Sequence, residues 1–268
     1  MKLTLIGAGK MGEALARGML RAGVLAPTEL TLCDIATDRV QALATALGAS
    51  AAPTNTAAVD QAELTILAVK PKDVAAVCRE IAPRLSPRAT VLSIAAGITL
   101  TQLTGALGRD DLGVARAMPS TPCLVNAGAI GVSFTTNTSP AARHTVRELL
   151  APLGLVEELP ESLLDAVTGL SGSGPAYVAV LIEALADGGV LMGLPRLQAQ
   201  RLAAQTVYGT AKLVLETDQS PAAVKDAVAS PGGTTIAGLA ALEAAGFRHA
   251  AISAVQAATA RSRTLSEG

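Results

Sequence analysis

A chain of 268 residues, 50% hydrophobic and 16% charged, can bury roughly 70–75% of its unfolded surface as one large or two ordinary domains. A net charge of −1 and an aromatic share of 1% without tryptophan leave neither the basic footprint nor the stacking platforms of a nucleic-acid binder. Cys33, Cys78 and Cys123 lie far apart without CxxC spacing or clustered histidines, so no metal site is expected, and buried thiols in a reducing compartment are.

Lys2–Ile6 is a short β-prone run followed at once by Gly7-Ala8-Gly9-Lys10-Met11-Gly12 and a helical stretch, Glu13–Arg21, that closes at Gly23. This is GxGxxG in strand-turn-helix context: Gly7 permits the turn, Gly9 lets the backbone meet a pyrophosphate, and Gly12 lets the helix pack closely on the strand. A second β-prone run, Leu30–Cys33, ends at Asp34, at the spacing where an acidic side chain bonds a ribose hydroxyl. The combination predicts a dinucleotide site; the other reading is a glycine turn that packs a helix on a sheet.

Further β-prone runs follow at Leu64–Ala68, Thr90–Ile94, Gly113–Ala117 and Ala129–Phe134, with helix candidates at Thr37–Leu47, Lys72–Arg84 and Pro140–Leu153. Such alternation predicts an α/β Rossmann-type, doubly wound, mostly parallel sheet with helices on both faces. Three successive strand ends point to one crevice: Leu67-Ala68-Val69-Lys70-Pro71, the small residues Ser93-Ile94-Ala95-Ala96-Gly97 and the rigid turn Met118-Pro119-Ser120-Thr121-Pro122. Lys70 is placed either to meet a cofactor or to be a solvated strand-end lysine, and small residues near Ala96 admit a flat nicotinamide ring.

Beyond residue 160 the strands stop. Ala- and Leu-rich helices are expected at Pro175–Met192, Arg196–Thr217, Ala222–Ala229, Thr235–Ala245 and His249–Leu265, which gives domains 1–160 and 161–268. Ser171-Gly172-Ser173-Gly174-Pro175 opens the first of these helices, and its plain reading is a cap with close helix packing. The most apolar stretch, near Ala176–Leu194, is interrupted by Glu183 and Asp187, and the N-terminus enters a strand without a signal-peptide pattern. A cytoplasmic protein without membrane association is expected, with His144 and His249 in surface or packing roles.

Ser230-Pro231-Gly232-Gly233-Thr234-Thr235 joins a forced turn, two glycines and two hydroxyls immediately before a helix. Thr234 or Thr235 is expected to cap the helix Ile236–Ala245, whose N-terminal N–H groups suit a carboxylate or phosphate. Taken alone, the same residues also read as a plain capped helix after a Gly-Pro turn.

GAGKMG, AVKP, SIAAGI, RAMPSTP, VTGLSGSGPAY, IEALADGGV, GLPR, LAAQT and SPGGTTI occur in this order over nearly the whole chain, which resembles the pyrroline-5-carboxylate reductases. The resemblance implies hydride transfer from NADPH or NADH to the C=N carbon of 1-pyrroline-5-carboxylate, giving L-proline. It also implies an all-α helical dimerisation domain after the Rossmann domain, a homodimer or higher oligomer, and a substrate pocket at the dimer interface. By matching motif, Ala8, Gly9, Lys10 and Met11 hold the pyrophosphate, while Asn55, Ala68, Val69, Lys70 and Ala96 line the rest of the cofactor. Ser230, Gly233, Thr234 and Thr235 hold the substrate, with Glu161 a further contact.

Two departures from the family pattern stand out. Ser120 replaces the usual asparagine of Met-Pro-Asn-Thr-Pro, and Asp34 stands where many relatives carry a small hydroxyl or amide compatible with a 2′-phosphate.

An iminium substrate already carries positive charge, so its reduction needs a hydride donor at about 3–3.5 Å, a carboxylate anchor and exclusion of water more than a strong general acid. The helix Pro175–Met192 contains neither Lys nor His, which weighs against the hydroxyacid dehydrogenases, whose corresponding helix carries a catalytic lysine. Thr235 is the expected catalytic residue, donating a hydrogen bond to the ring nitrogen or relaying a proton. The competing readings are a reductase of another small cyclic imine or 2-keto acid, and a non-catalytic NAD(P)-binding regulator.

Overall fold

Short aliphatic strands buried on both faces are the signature of a parallel sheet enclosed by helices, and β1 (Leu3–Ile6) and β4 (Leu64–Leu67) are fully buried along their length. The computed structural model describes residues 1–267. Its sheet runs β3-β2-β1-β4-β5-β6-β7-β8, with β2 Leu30–Cys33, β3 Ser50–Ala51, β5 Thr90–Ser93, β6 Gly113–Pro119, β7 Gly128–Phe134 and β8 Gly154–Glu158. All neighbours pair in parallel except β6 and β7, so the last two strands run opposite to the first six.

Side-chain alternation divides the core between the two faces. Leu3, Leu5, Leu30, Leu32, Leu64 and Ile66 face one way. Against them pack α1 (Lys10–Arg21), α2 (Thr37–Leu47) and, further along the chain, the helix Pro140–Leu150. Ile6, Cys33, Leu67, Val91 and Val114 face the other, covered by α3 (Asn55–Ala58), α4 (Pro71–Ile81) and α5 (Leu100–Leu107). The helix Pro140–Leu150 is α6, followed by α7 (Leu164–Val167), a π-helical turn at Thr168–Gly172, and α8 (Gly174–Leu191). The π turn is defined by the Ser173 N–H donating to the Thr168 carbonyl at 2.8 Å, so the expected capped start at Ser171–Pro175 is a change of helical register instead. At Gly172 a Cβ would lie 2.7 Å from the Met118 methyl, the end of a flexible side chain that can move aside.

Two compact units result: Met1–Ser173 with the stretch from Ala257 on, and Gly174–Gln256. Residues 161–173 pack with the sheet because β7 offers a glycine under them; a Cβ on Gly131 would lie 3.0 Å from both Leu164 and Val167. The second unit comprises α8, α9 (Arg196–Thr217), α10 (Pro221–Ala227), α11 (Thr234–Ala244) and the first part of α12 (Phe247–Glu267). Its helices α8 and α9 meet through small residues: Ala186, Ala199 and Ala203 are buried, and a Cβ on Gly189 would stand 3.3 Å from that of Ala199. Large apolar side chains of this unit face outward, including Val180, Leu202, Leu215, Ile236 and Ile252. Among the described residues one helical stretch, 161–191, is by length and composition apolar enough to cross a membrane, and little of it is buried within the single chain.

The remaining strand, β8, depends on one backbone contact. Gly154 has φ +143°, and a Cβ there would lie 2.0 Å from the Gly128 carbonyl oxygen, which cannot yield as a flexible side chain can. Gly154→Ala is therefore expected to cost about 3 kcal/mol, or roughly 6–12 °C of thermal midpoint for a protein of this size. An unchanged midpoint by calorimetry would show that β8 re-registers freely.

Candidate functional site

The chain leaves β1 toward β2 and β3 and returns to the other side of β1 as β4, which makes the carboxyl ends of β1 and β4 a topological switch point. Gly7 sits there with φ +107°, its N–H donating to the Cys33 carbonyl at 2.8 Å. A Cβ at position 7 would lie 2.5 Å from the Ala68 carbonyl oxygen, so only glycine lets the phosphate loop lie on the β4 strand end. Gly12 is equally constrained, because a Cβ would meet the Gly7 carbonyl oxygen at 2.0 Å; the contact is with the loop more than with the strand. Around a Cβ on Gly9, by contrast, there is nothing within 4 Å. Gly9 is the N-cap of α1 without a side-chain cap, so the N–H groups of Lys10, Met11 and Gly12 open onto that space. The open space at Gly9, beside free helix N–H groups, fits a pyrophosphate.

Asp34 follows β2 and is held firmly. Its Oδ2 accepts the Ala8 N–H at 2.6 Å and the Arg39 guanidinium at 2.9 Å, while Oδ1 accepts the Ala36 N–H at 2.8 Å. Burial pushes this carboxyl up, but the two backbone donors and Arg39 outweigh it and hold it below its ordinary value. Asn55, the first residue of α3, has both ends of its amide engaged: Oδ1 accepts the Cys33 thiol at 3.3 Å, and Nδ2 donates to Glu80 at 2.8 Å. Burial raises the Cys33 pKa, with Glu80 and Asp34 adding to it, so the thiol stays protonated and able to donate. Lys70 is the exposed N-cap of α4, next to the half-buried Ala68 and Val69. Ala96 is exposed between the buried Ala95 and Gly97, the latter at φ +76°.

Ser120 is buried and serves the sheet. Its Oγ accepts the Ala129 N–H at 2.9 Å, and its own N–H donates to the Ala129 carbonyl at 3.1 Å. Glu161 belongs to a partly buried ion network: its Oε1 accepts the Leu100 N–H at 2.6 Å and lies 3.3 Å from Arg116 Nη1. Arg116 is missed by pattern reading because Gly113–Ala117 registers only as β-prone; the available signal is one charge inside the otherwise uncharged strand GVARAMP.

In the second unit, Ser230–Thr235 forms a tight turn in which the Gly233 N–H donates to the Ser230 carbonyl at 3.1 Å and Gly232 has φ +67°. A Cβ on Gly233 would meet Ser230 Oγ at 2.4 Å. The expectation of a threonine cap is corrected: α11 starts at Thr234, its N-cap is Gly233, and no side chain caps it. With no hydroxyl occupying them, the N–H groups of the first turn remain open to an anion, and Thr234 and Thr235 carry their hydroxyls beside them.

Residues 161–265 match the family described as pyrroline-5-carboxylate reductase dimerisation, and residues 2–97 match NADP oxidoreductase coenzyme F420-dependent. The chain is 44% identical to the pyrroline-5-carboxylate reductase of Synechocystis sp. over 99% of its length and 98% of the relative's. It is 42% identical to that of Escherichia coli, with the same coverage of both chains. Among solved structures it resembles a pyrroline-5-carboxylate reductase from Coxiella burnetii, with a TM-score of 0.94 at 32% identity over 99% of this chain and 98% of that one. The Plasmodium falciparum pyrroline carboxylate reductase with NADP bound gives a TM-score of 0.87 at 31% identity, also over 99% and 98%.

The Asp34 geometry has a measurable pH signature. A carboxyl whose folded pKa is depressed stabilises the fold above its unfolded value of about 3.9, and the contribution is lost as pH falls through the folded value. Asp34→Asn is expected to be less stable near neutrality and to lose less stability than the parent on acidification; parallel thermal-midpoint curves between pH 5 and 2.5 would contradict this.

Proposed function

The chain belongs to the pyrroline-5-carboxylate reductase family, and from that premise we propose how its residues carry the reduction of 1-pyrroline-5-carboxylate to L-proline, the final step of proline biosynthesis. NAD(P)H supplies the hydride. The pyrophosphate is held by the N–H groups that follow Gly9, with Gly7, Ala8, Lys10, Met11 and Gly12 shaping the cradle, and Asp34 meets the adenosine ribose. Asn55, fixed by Cys33 and Glu80, together with Ala68, Val69, Lys70 and Ala96, lines the remainder. The substrate carboxylate lies on the N–H groups of Thr234 and Thr235, with Ser230, Gly233 and the threonine hydroxyls around it. Hydride adds to the C=N carbon, the π pair passes to nitrogen, and the protonated iminium becomes a secondary amine without a separate acid.

The observation that carries this reading is the uncapped start of α11, where two hydroxyls flank open N–H groups. NADH and NADPH oxidation with 1-pyrroline-5-carboxylate, measured against a panel of other cyclic imines and 2-keto acids, tests it. Faster turnover of another member of the panel would replace the substrate named here. The Glu161 oxygen engaged by Leu100 and Arg116 supports a role in holding the fold around the site, so a substrate contact is left to its other oxygen.

Because an asparagine can cap a helix without supplying a hydroxyl, it separates capping from chemistry at position 235. Thr235→Ala and Thr235→Asn are each expected to lower kcat about ten- to hundredfold, the worth of one hydrogen bond to a developing amine, with NAD(P)H affinity retained. Thr235→Ser is expected to keep most of the rate. Normal turnover by Thr235→Asn would reduce the site to its backbone N–H groups.

A carboxylate on a 2′-hydroxyl is worth about 1.5–3 kcal/mol and repels a 2′-phosphate. NADH is therefore expected to serve at least comparably to NADPH, and Asp34→Ser to shift the ratio of kcat/KM toward NADPH. Arg39 opposes this, since it can turn from Asp34 to a phosphate. A large NADPH preference in the parent protein would assign selection to Arg39.

The outward apolar side chains of the second unit need a covering surface, and the dimerisation match over 161–265 supports a second copy. Two copies are expected at minimum, and an active monomer at micromolar concentration in light scattering would refute this. The buried, unbridged cysteines support a cytoplasmic location.

A further inference from the structure

Arg116 lies in the interior of β6 with 3% of its surface exposed, and a charge so placed is retained only where partners repay its desolvation. Its register partners are Ser93 on β5 and Ser133 on β7, two short buried side chains that leave room on that face of the sheet. The guanidinium meets Glu161 Oε1 at 3.3 Å and Asp165 Oδ1 at 3.9 Å, and Asp165 accepts the Ser262 hydroxyl at 2.7 Å. Glu161 Oε1 is at the same time the acceptor for Leu100 N–H, the first residue of α5, at a helix end that favours negative charge. The chain between β5 and α5 is the Ile94–Thr99 connection, pinned at its start by the Ile94 N–H on the Leu67 carbonyl and the Ala95 N–H on Ser93 Oγ. Its far end is pinned by Glu161.

We infer that Arg116 is a positioning residue for hydride transfer: by holding Glu161 on the Leu100 N–H, it fixes the Ala95–Gly97 connection against which the nicotinamide ring lies. This rests on the placement of the ring at Ala96 given above. The network contributes no group to the reacting atoms. It acts by keeping the connection from shifting, and displacements of about 1 Å at a hydride-transfer site cost about a hundredfold in rate.

The test is a double-mutant cycle on the full-length protein, Arg116→Met against Glu161→Gln, since glutamine still accepts the Leu100 N–H but no longer needs a counter-charge. Arg116→Met is expected to lower kcat about ten- to hundredfold. NADPH affinity should stay within about threefold, and the primary isotope effect with 4-deuterated NADPH should rise as hydride transfer becomes limiting. In the Glu161→Gln background the same substitution is expected to add less than about twofold, the non-additivity of residues acting as one unit. Arg116→Lys should be intermediate, and where Arg116→Met does not purify as folded protein, Arg116→Lys carries the cycle. Effects that multiply, or a lowered thermal midpoint with kcat and isotope effect unchanged, overturn the inference. Ala96→Leu separates it from its premise: full turnover there removes the ring placement and the inference with it. Loss of turnover in Ala96→Leu beside a normal Arg116→Met removes only the positioning role.

Discussion

The rest of the first unit depends on the approach of one loop to one strand end. At Gly7 the backbone turns over the Ala68 carbonyl with no space for a Cβ, while Gly12 closes on the Gly7 carbonyl from the other side. These contacts fix where α1 starts and which N–H groups it presents, and Asp34 completes the arrangement by accepting the Ala8 N–H across the gap between β1 and β2. The groups that this helix start offers an anion are main-chain N–H donors, and side chains serve to hold the main chain in place.

The same logic recurs in the second unit with different residues. At Gly233 the helix again begins without a side-chain cap, and the preceding glycine again has positive φ. Each unit thus has a helix start whose uncapped main-chain N–H groups suit an anion.

What could be read from residues alone follows from how local the determining physics is. The Lys2–Ile6 strand, the glycine turn and α1 are specified within twenty residues, and their placement agrees with the fold. Six strands were visible as apolar runs; β3 and β8 were not, because two residues of Ser50–Ala51 form no pattern and β8, GLVEE, is a largely exposed edge strand carrying two glutamates. The helix α5, LTQLTGAL, escaped notice behind two threonines and a glycine, although Thr99 and Gln102 form a capping box at its start. Threonine as the cap of α11 was the propensity-based choice and lost to a glycine, since the tight turn back to Ser230 leaves no volume for a side chain at position 233. The partners of Arg116 lie tens of residues away in Glu161 and Asp165, a distance that no local pattern encodes.

The three cysteines are each buried in the first unit, Cys33 at the end of β2, Cys78 inside α4 and Cys123 beside Gly128. Burial raises all three, Cys78 to about 11, so at pH 8 only about one thiol in a thousand at that position is ionised even before access is counted. The chain therefore carries its own clock for structural opening. Alkylation at each thiol proceeds only as fast as its neighbourhood comes apart, and the three positions time separate events: parting of the end of β2 from Asn55, fraying of a helix, and parting of β7 from the turn that precedes it.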